Sequence, residues 1–213
     1  MSDTTLGRVP MAAQPEKVTH LDYRRHYSAD TYLFFFFAFA VLGWLWEVAV
    51  FLMQEGMFIN RGVLFGPWLP IYGAGGVAIV LFLRRFSENK LLTFFAAMML
   101  CTSLEYMTGW FLESATGTRW WDYTGYLFNI NGRICLAGAL VFGLGGISLI
   151  YILAPLFDSL YKKIPPRIKY ILGIIVLLLF LADVTYSHFH PNTGYGITEY
   201  SVRSQLNTIL III

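Results

Sequence analysis

Residues 32–53 read YLFFFFAFAVLGWLWEVAVFLM, twenty-two residues with a single charge, Glu47. Apolar side chains fall on every face of a helix built from this run, so it has no polar face to turn to water. About 20 such residues cross a hydrocarbon core ~30 Å thick. Four further apolar blocks follow, at 69–83, 91–112, 134–156 and 168–184. The chain as a whole is 57% hydrophobic and 13% charged, against about 25% charged residues in soluble domains. The expected fold is all-α: a polytopic membrane helix bundle of about five transmembrane helices. Three regions are expected: a polar tail over 1–29, a helical domain over 30–187 and a second tail over 188–213.

The second block is short. At about 15 residues a straight helix reaches only ~22 Å. Before it lies 62–70, Gly-Val-Leu-Phe-Gly-Pro-Trp-Leu-Pro, apolar but broken by Pro67 and Pro70. Proline removes a backbone donor, and irregular backbone is tolerated at membrane depth only against protein or water. A re-entrant or broken segment before the second span is therefore one expectation, and an ordinary loop with a proline cap the other.

Lysine and arginine set the orientation. Arg8, Lys17, Arg24 and Arg25, then Arg84, Arg85 and Lys90, then Lys162, Lys163, Arg167 and Lys169 fall on one side, eleven of the fifteen basic residues. The N-terminus is thus expected in the cytoplasm and the C-terminus outside the cell membrane. A cleavable signal peptide is not expected, because the first apolar block is too long and no A-x-A site follows it. All six tryptophans and most of the acids near helix depth then share the outer side, and the inner side reads as plain basic loops.

A charged side chain at helix depth costs roughly 2.5–3.5 kcal/mol, so it faces a partner or a wet cavity. Glu47 and Glu105 are the deepest acids, and Glu113 lies about 80° around the helix from Glu105. Arg61, Arg119 and Arg133 stand at the same level. They form a structural network that locks the helices, build a ligand or ion pocket, or are simply solvated at the interface. The candidate site comprises Glu47, Asn60, Arg61, Trp68, Tyr72, Glu105, Glu113, Arg119, Trp121, Asp122, Asn131 and Arg133. Glu47 and Glu105 are expected as its buried anions, with Arg61 and Arg133 either to neutralise them or to bind an anionic ligand. The loop 116–133 either covers the site as a lid or anchors at the interface by its Trp and Tyr residues. Gly138, Ala139, Gly143, Gly145 and Gly146 suit close helix packing.

Other chemistry finds little support. Cys101 and Cys135 read as packed free thiols, and Asp183, His188 and His190 make a weak metal pattern. The sequence has no Gly-Lys dipeptide, hence no phosphate-binding loop, and no hydrolase or zinc-protease motif. A net charge of +2 without a basic stripe argues against nucleic acid. No cofactor is expected.

Several motifs carry a resemblance. Gly43-Trp44-Leu45-Trp46-Glu47, Asn60-Arg61-Gly62, Gly66-Pro67-Trp68-Leu69-Pro70-Ile71-Tyr72-Gly73, Leu104-Glu105-Tyr106, Trp120-Trp121-Asp122-Tyr123 and Asn131-Gly132-Arg133-Ile134-Cys135-Leu136 resemble the ABC-transporter type IV (CmpB-type) membrane proteins. So do Asp183 and 191–198. The resemblance covers about residues 30–198. It implies a multi-pass component of a transport system in the lipid bilayer, with a separate ATPase chain or other membrane subunits as partners. The first expectation is a permease-like protein binding a small solute or lipid-like ligand in an outer polar pocket. The alternatives are a membrane enzyme acting on lipid or lipid-linked substrates, and a non-catalytic partner or sensor.

Overall fold

The computed structural model describes residues 22–197. Arg8, Lys17, Arg203 and the apolar run 209–213 lie outside the described residues. Helix α1 spans Ala29–Glu55, α2 Pro70–Ala78, α3 Lys90–Thr116, α4 Leu136–Ser148, α5 Ala154–Lys162 and α6 Pro166–Phe189. A π-turn, Ile79–Leu83, and a 3₁₀ turn, Arg84–Phe86, prolong α2. A second π-turn, Leu149–Leu153, joins α4 to α5. No β-strand forms among the described residues, and an isolated bridge pairs Ile130 with Ile134.

Local chemistry fixes the helix ends. Asn89 caps α3, its side chain accepting from the Leu92 amide at 3.0 Å. Gly56 and Gly117 close α1 and α3 at φ 69° and 67°, where a Cβ is unfavourable. Pro70 and Pro166 open α2 and α6, where a missing N–H costs nothing. Pro155 has no N–H for the carbonyl of Tyr151, and the helix widens over the preceding turn.

Four helices are long and apolar enough to cross a membrane: Ala29–Glu55, Lys90–Thr116, Leu136–Lys162 and Pro166–Phe189. The second expected span differs from them. Its helix and π-turn hold nine and five residues, ~21 Å against ~40 Å for the 27 residues of α1. It begins beside the middle of α1, where the Leu69 amide donates to the Ala40 carbonyl at 3.0 Å. The chain therefore leaves α1, descends as irregular backbone over 56–69, and turns helical halfway down.

α2 lies along α1, and α4 along α3, through small residues. A Cβ on Gly43 would stand 2.2 Å from the Tyr72 ring, and one on Gly146 2.2 Å from the Ala97 Cβ. Gly143 abuts Phe94, whereas Gly145 faces open space. The central core joins Phe35, Phe39, Val80 and Ala154 to Ile79, Leu83, Ala97 and Ile150, around the two π-turns. α6 stands at the edge. Ser187 is its one buried residue, and its leucines and isoleucines are exposed, as suits lipid contact.

The basic end is not plain. Asp158 on α5 is fully buried, and its Oδ2 accepts from Arg25 at 3.0 Å and Lys162 at 2.8 Å. Arg84 donates to the Arg25 carbonyl and lies 3.0 Å from His26 Nδ1. Arg24 pairs with Glu88 at 2.9 Å. This overturns the expectation of bare basic loops. Expecting the fourth span to stop at 156 hid Asp158, since the helix continues to Lys162 and buries it.

Candidate functional site

The irregular segment 56–69 is held by side chains from both directions. Trp44 on α1 donates to Asn60 Oδ1 at 2.6 Å, and Asn60 Nδ2 donates to the Phe65 carbonyl at 2.8 Å. Asn192, past the end of α6, reaches back to the carbonyls of Asn60 and Gly62, both at 3.0 Å. Asp183 on α6 accepts from the Phe65 and Gly66 amides and from the Trp68 indole at 2.7 Å. Trp68 thus fastens α6 to this segment.

So held, the segment carries Arg61 to Glu47. The ion pair is long, 3.4 Å, and the guanidinium also lies over the Phe51 ring. Glu47 Oε1 accepts a 2.5 Å bond from the Tyr72 hydroxyl at the start of α2. The Gly43 contact described above lets that ring approach.

Glu105 on α3 is buried, at 8% exposure. Its Oε1 accepts from the Tyr123 hydroxyl at 3.0 Å, and its Oε2 has no partner. Thr102, one turn earlier on the same face, also has a buried hydroxyl without a partner. Tyr123 belongs to the 117–135 loop, so this loop folds back over α3. Burial first, then the charge and hydrogen bond of Glu105, then the charge of Glu47 push the Tyr123 phenol far up. Tyr123 is thus bonded to Glu105, with the charge of Glu47 close enough to act on it.

A second network pins the loop. Glu113 accepts from Arg119 at 3.2 Å and Arg133 at 2.8 Å. Arg133 thus neutralises Glu113, not Glu105 as expected from the sequence. It also lies over the Tyr106 ring, whose hydroxyl Asn131 contacts at 2.9 Å. Arg119 bonds Asp122 at 3.1 Å, and the Trp121 indole donates to the Arg133 carbonyl at 2.8 Å. Burial opposes the charge on Asp122, but the Thr124 hydroxyl and amide and the Arg119 guanidinium outweigh it and hold the carboxyl below its ordinary range. Trp120 is buried beside this network with its indole N–H unpartnered.

Gly132 is where the loop turns. It sits at φ 66°, and a Cβ there would stand 2.4 Å from Asp122 Oδ1, 2.6 Å from Thr124 Oγ1 and 2.7 Å from an Arg119 nitrogen. Gly132→Ala is expected to cost about 1–3 kcal/mol, combining left-handed strain with overpacking. Faster proteolysis within 117–135, with α3 and α4 intact, would report it. An unchanged cleavage rate would show that the turn tolerates a side chain.

Among the described residues no cluster of three or more His, Cys, Asp or Glu is arranged to hold a metal ion. Asp158 and Asp183, and with them Tyr123, Trp44 and Asn192, are absent from the candidate site that the sequence offers. Lys162 four residues after Asp158 was a signal for the first, since i,i+4 pairs of opposite charge mark a continuing helix. In the sequence Asp183 reads as part of a weak metal pattern and of the family resemblance, not as the anchor of the segment before α2.

An all-helical bundle with four helices of this length and apolarity defines a multi-pass membrane protein. Residues 34–188 match the family described as "Putative ABC-transporter type IV", and the chain belongs to that family. No curated protein and no solved structure matches it.

Proposed function

We propose that this protein is a membrane subunit of an ABC-type transport system that binds a small solute between Glu47 and Glu105. The basic end faces the cytoplasm, with residues 1–29 as a cytoplasmic tail and 188–213 outside the cell membrane. Eleven of the fifteen lysines and arginines support that orientation. Energy comes from an ATPase on another chain, in keeping with a sequence that has no phosphate-binding Gly-Lys motif.

The observation that carries the binding reading is the orphaned oxygen of Glu105. A buried carboxyl oxygen without a donor is costly; Asp158 Oδ1 is another, but two cations meet that carboxylate, whereas Glu105 has a neutral phenol alone. In the Glu113–Arg119–Arg133 network every charged group has an ion-pair partner, although Arg133 Nε is buried without an acceptor, and this favours a structural role in holding Tyr123 over α3.

Glu105→Gln keeps the size of the side chain and removes the second acceptor. Purified in mild detergent, the wild-type protein is expected to retain a small molecule detectable by native mass spectrometry. The variant is expected to lose it at least tenfold while melting at a similar temperature. Equal retention by both proteins would refute the site.

A further inference from the structure

The carboxylate cluster is short of positive charge. Among the described residues Arg61 is the one guanidinium on it, and it lies on Glu47. Arg119 and Arg133 are committed to Glu113 and Asp122. Glu105 receives one neutral donor, the Tyr123 phenol. The ionisable groups around it can be named element by element. Glu47 comes from α1, with Arg61 on it, and Tyr72 from α2 bonds to Glu47. Cys101 lies one turn away on α3 itself, and Tyr123 comes from the loop. Cys135 is buried at the start of α4, its sulfur accepting from the Gly138 amide. Beyond it, α4 has no ionisable residue. None of these is a spare cation, so an ionised Glu105 leaves one negative charge unmet. Glu105 Oε2 is buried without a partner, and so is Thr102 Oγ1 one turn back on α3; Arg61 Nε, on the Glu47 side, is a buried donor likewise unmet.

We infer that the site takes a monovalent cation, an alkali-metal ion or a protonated amine, in exchange for a proton on Glu105. The inference rests on the binding site proposed above and adds the charge class of its ligand. A buried carboxylate with no counter-charge is costly, so without a cation the neutral carboxylic acid is the favoured form of the site. On entry of the cation the O–H bond of Glu105 breaks. The proton leaves to water, the electron pair stays on the carboxylate, and the charge of the site is unchanged. An anionic ligand would add to charge that is already unbalanced. A monovalent cation matches the deficit of one, and the two orphaned oxygens supply it with acceptors.

The test uses the full chain in nanodiscs, weakly buffered with a pH-sensitive dye. Sodium chloride, potassium chloride and ethylammonium chloride are the probes, and sodium sulfate, compared with sodium chloride at equal sodium, is the anion control. One of the three cations is expected to raise the melting temperature and to release about one proton per ion bound. Its apparent affinity should weaken by up to about tenfold per unit of falling pH where the carboxyl is protonated. A response to sodium or potassium identifies an alkali ion, and a response to ethylammonium alone identifies an amine. In infrared difference spectra, the carboxylic-acid carbonyl band of the wild type should vanish on binding, a measurement that needs no variant. No proton release and no thermal shift with any of the three would overturn the inference, as would pH-independent binding. If a neutral or anionic solute binds without proton release and Glu105→Gln abolishes that binding, the cation reading falls and the site stands. If Glu105→Gln still binds the cation and releases the proton, both fall.

Discussion

Asp158→Ala is expected to lower the stability of the bundle by roughly 3–5 kcal/mol, the usual consequence of leaving one partner of a buried ion pair behind. The Asp158 side chain has no exposed surface and that of Arg25 only 11%, so the guanidinium keeps its burial when its carboxylate is gone. Lys162 contributes little to the loss, because it is 59% exposed and returns to water. The damage falls on the segment before α1. Arg25 ties that segment to α5, and Arg84 reaches it from the turn after α2. Thermal unfolding in detergent should show the loss, and proteolysis within 22–28 should quicken. The double variant Asp158→Leu with Arg25→Met should recover most of the stability, because it removes both desolvation penalties together. A single variant that melts like the wild type would show that the pair does not hold this end of the bundle.

The contrast between Asp158 and the long helices explains what was legible in the sequence. Unbroken apolar runs need no partner to declare themselves, so the spans expected at 32–53, 91–112 and 168–184 lie inside α1, α3 and α6. The fourth helix runs on to Lys162, because a polar residue buried by an ion pair looks like a loop residue in sequence. The carboxylates of the site were legible for the same reason as the spans: a charge inside an apolar run is conspicuous. Their partners were not. Whether Arg133 meets Glu105 or Glu113 depends on how the chain turns, with Phe128, Asn131 and Gly132 all at positive φ. Two of those three residues give no sequence warning as clear as a glycine. The half-depth start of α2 was also hidden. Its two prolines and its length showed a broken span, but its path depends on Ala40, Asp183 and Asn192, distant in sequence.

Asp183→Ala should detach α6, because that helix has so little else. Apart from Asp183, its attachment consists mainly of ring contacts, with Phe180 against Phe36, Phe37 and Trp68, and Tyr186 against Phe65. The carboxylate takes four hydrogen bonds: Phe65 N and Ser187 Oγ at 3.1 Å each on Oδ1, and Gly66 N at 2.8 Å and Trp68 Nε1 at 2.7 Å on Oδ2. Alanine leaves two backbone amides and an indole without an acceptor. At about 1–3 kcal/mol for each of these donors the ceiling is about 3–9 kcal/mol, and the loss falls toward the lower end because water can reach the exposed Phe65 amide. The milder change Asp183→Asn should recover only part of that loss, since one of the two terminal groups of an amide is itself a donor. Spin labels at exposed positions 33 on α1 and 178 on α6 should give a narrow distance distribution in the wild type and a broad one in Asp183→Ala. The same change should weaken the solute site at a distance, because the segment that Asp183 holds also carries Arg61 to Glu47. An unchanged distance distribution would mean that the ring contacts alone seat the helix. The irregular half of the second span would then owe its path to Trp44, Asn60 and Asn192 instead.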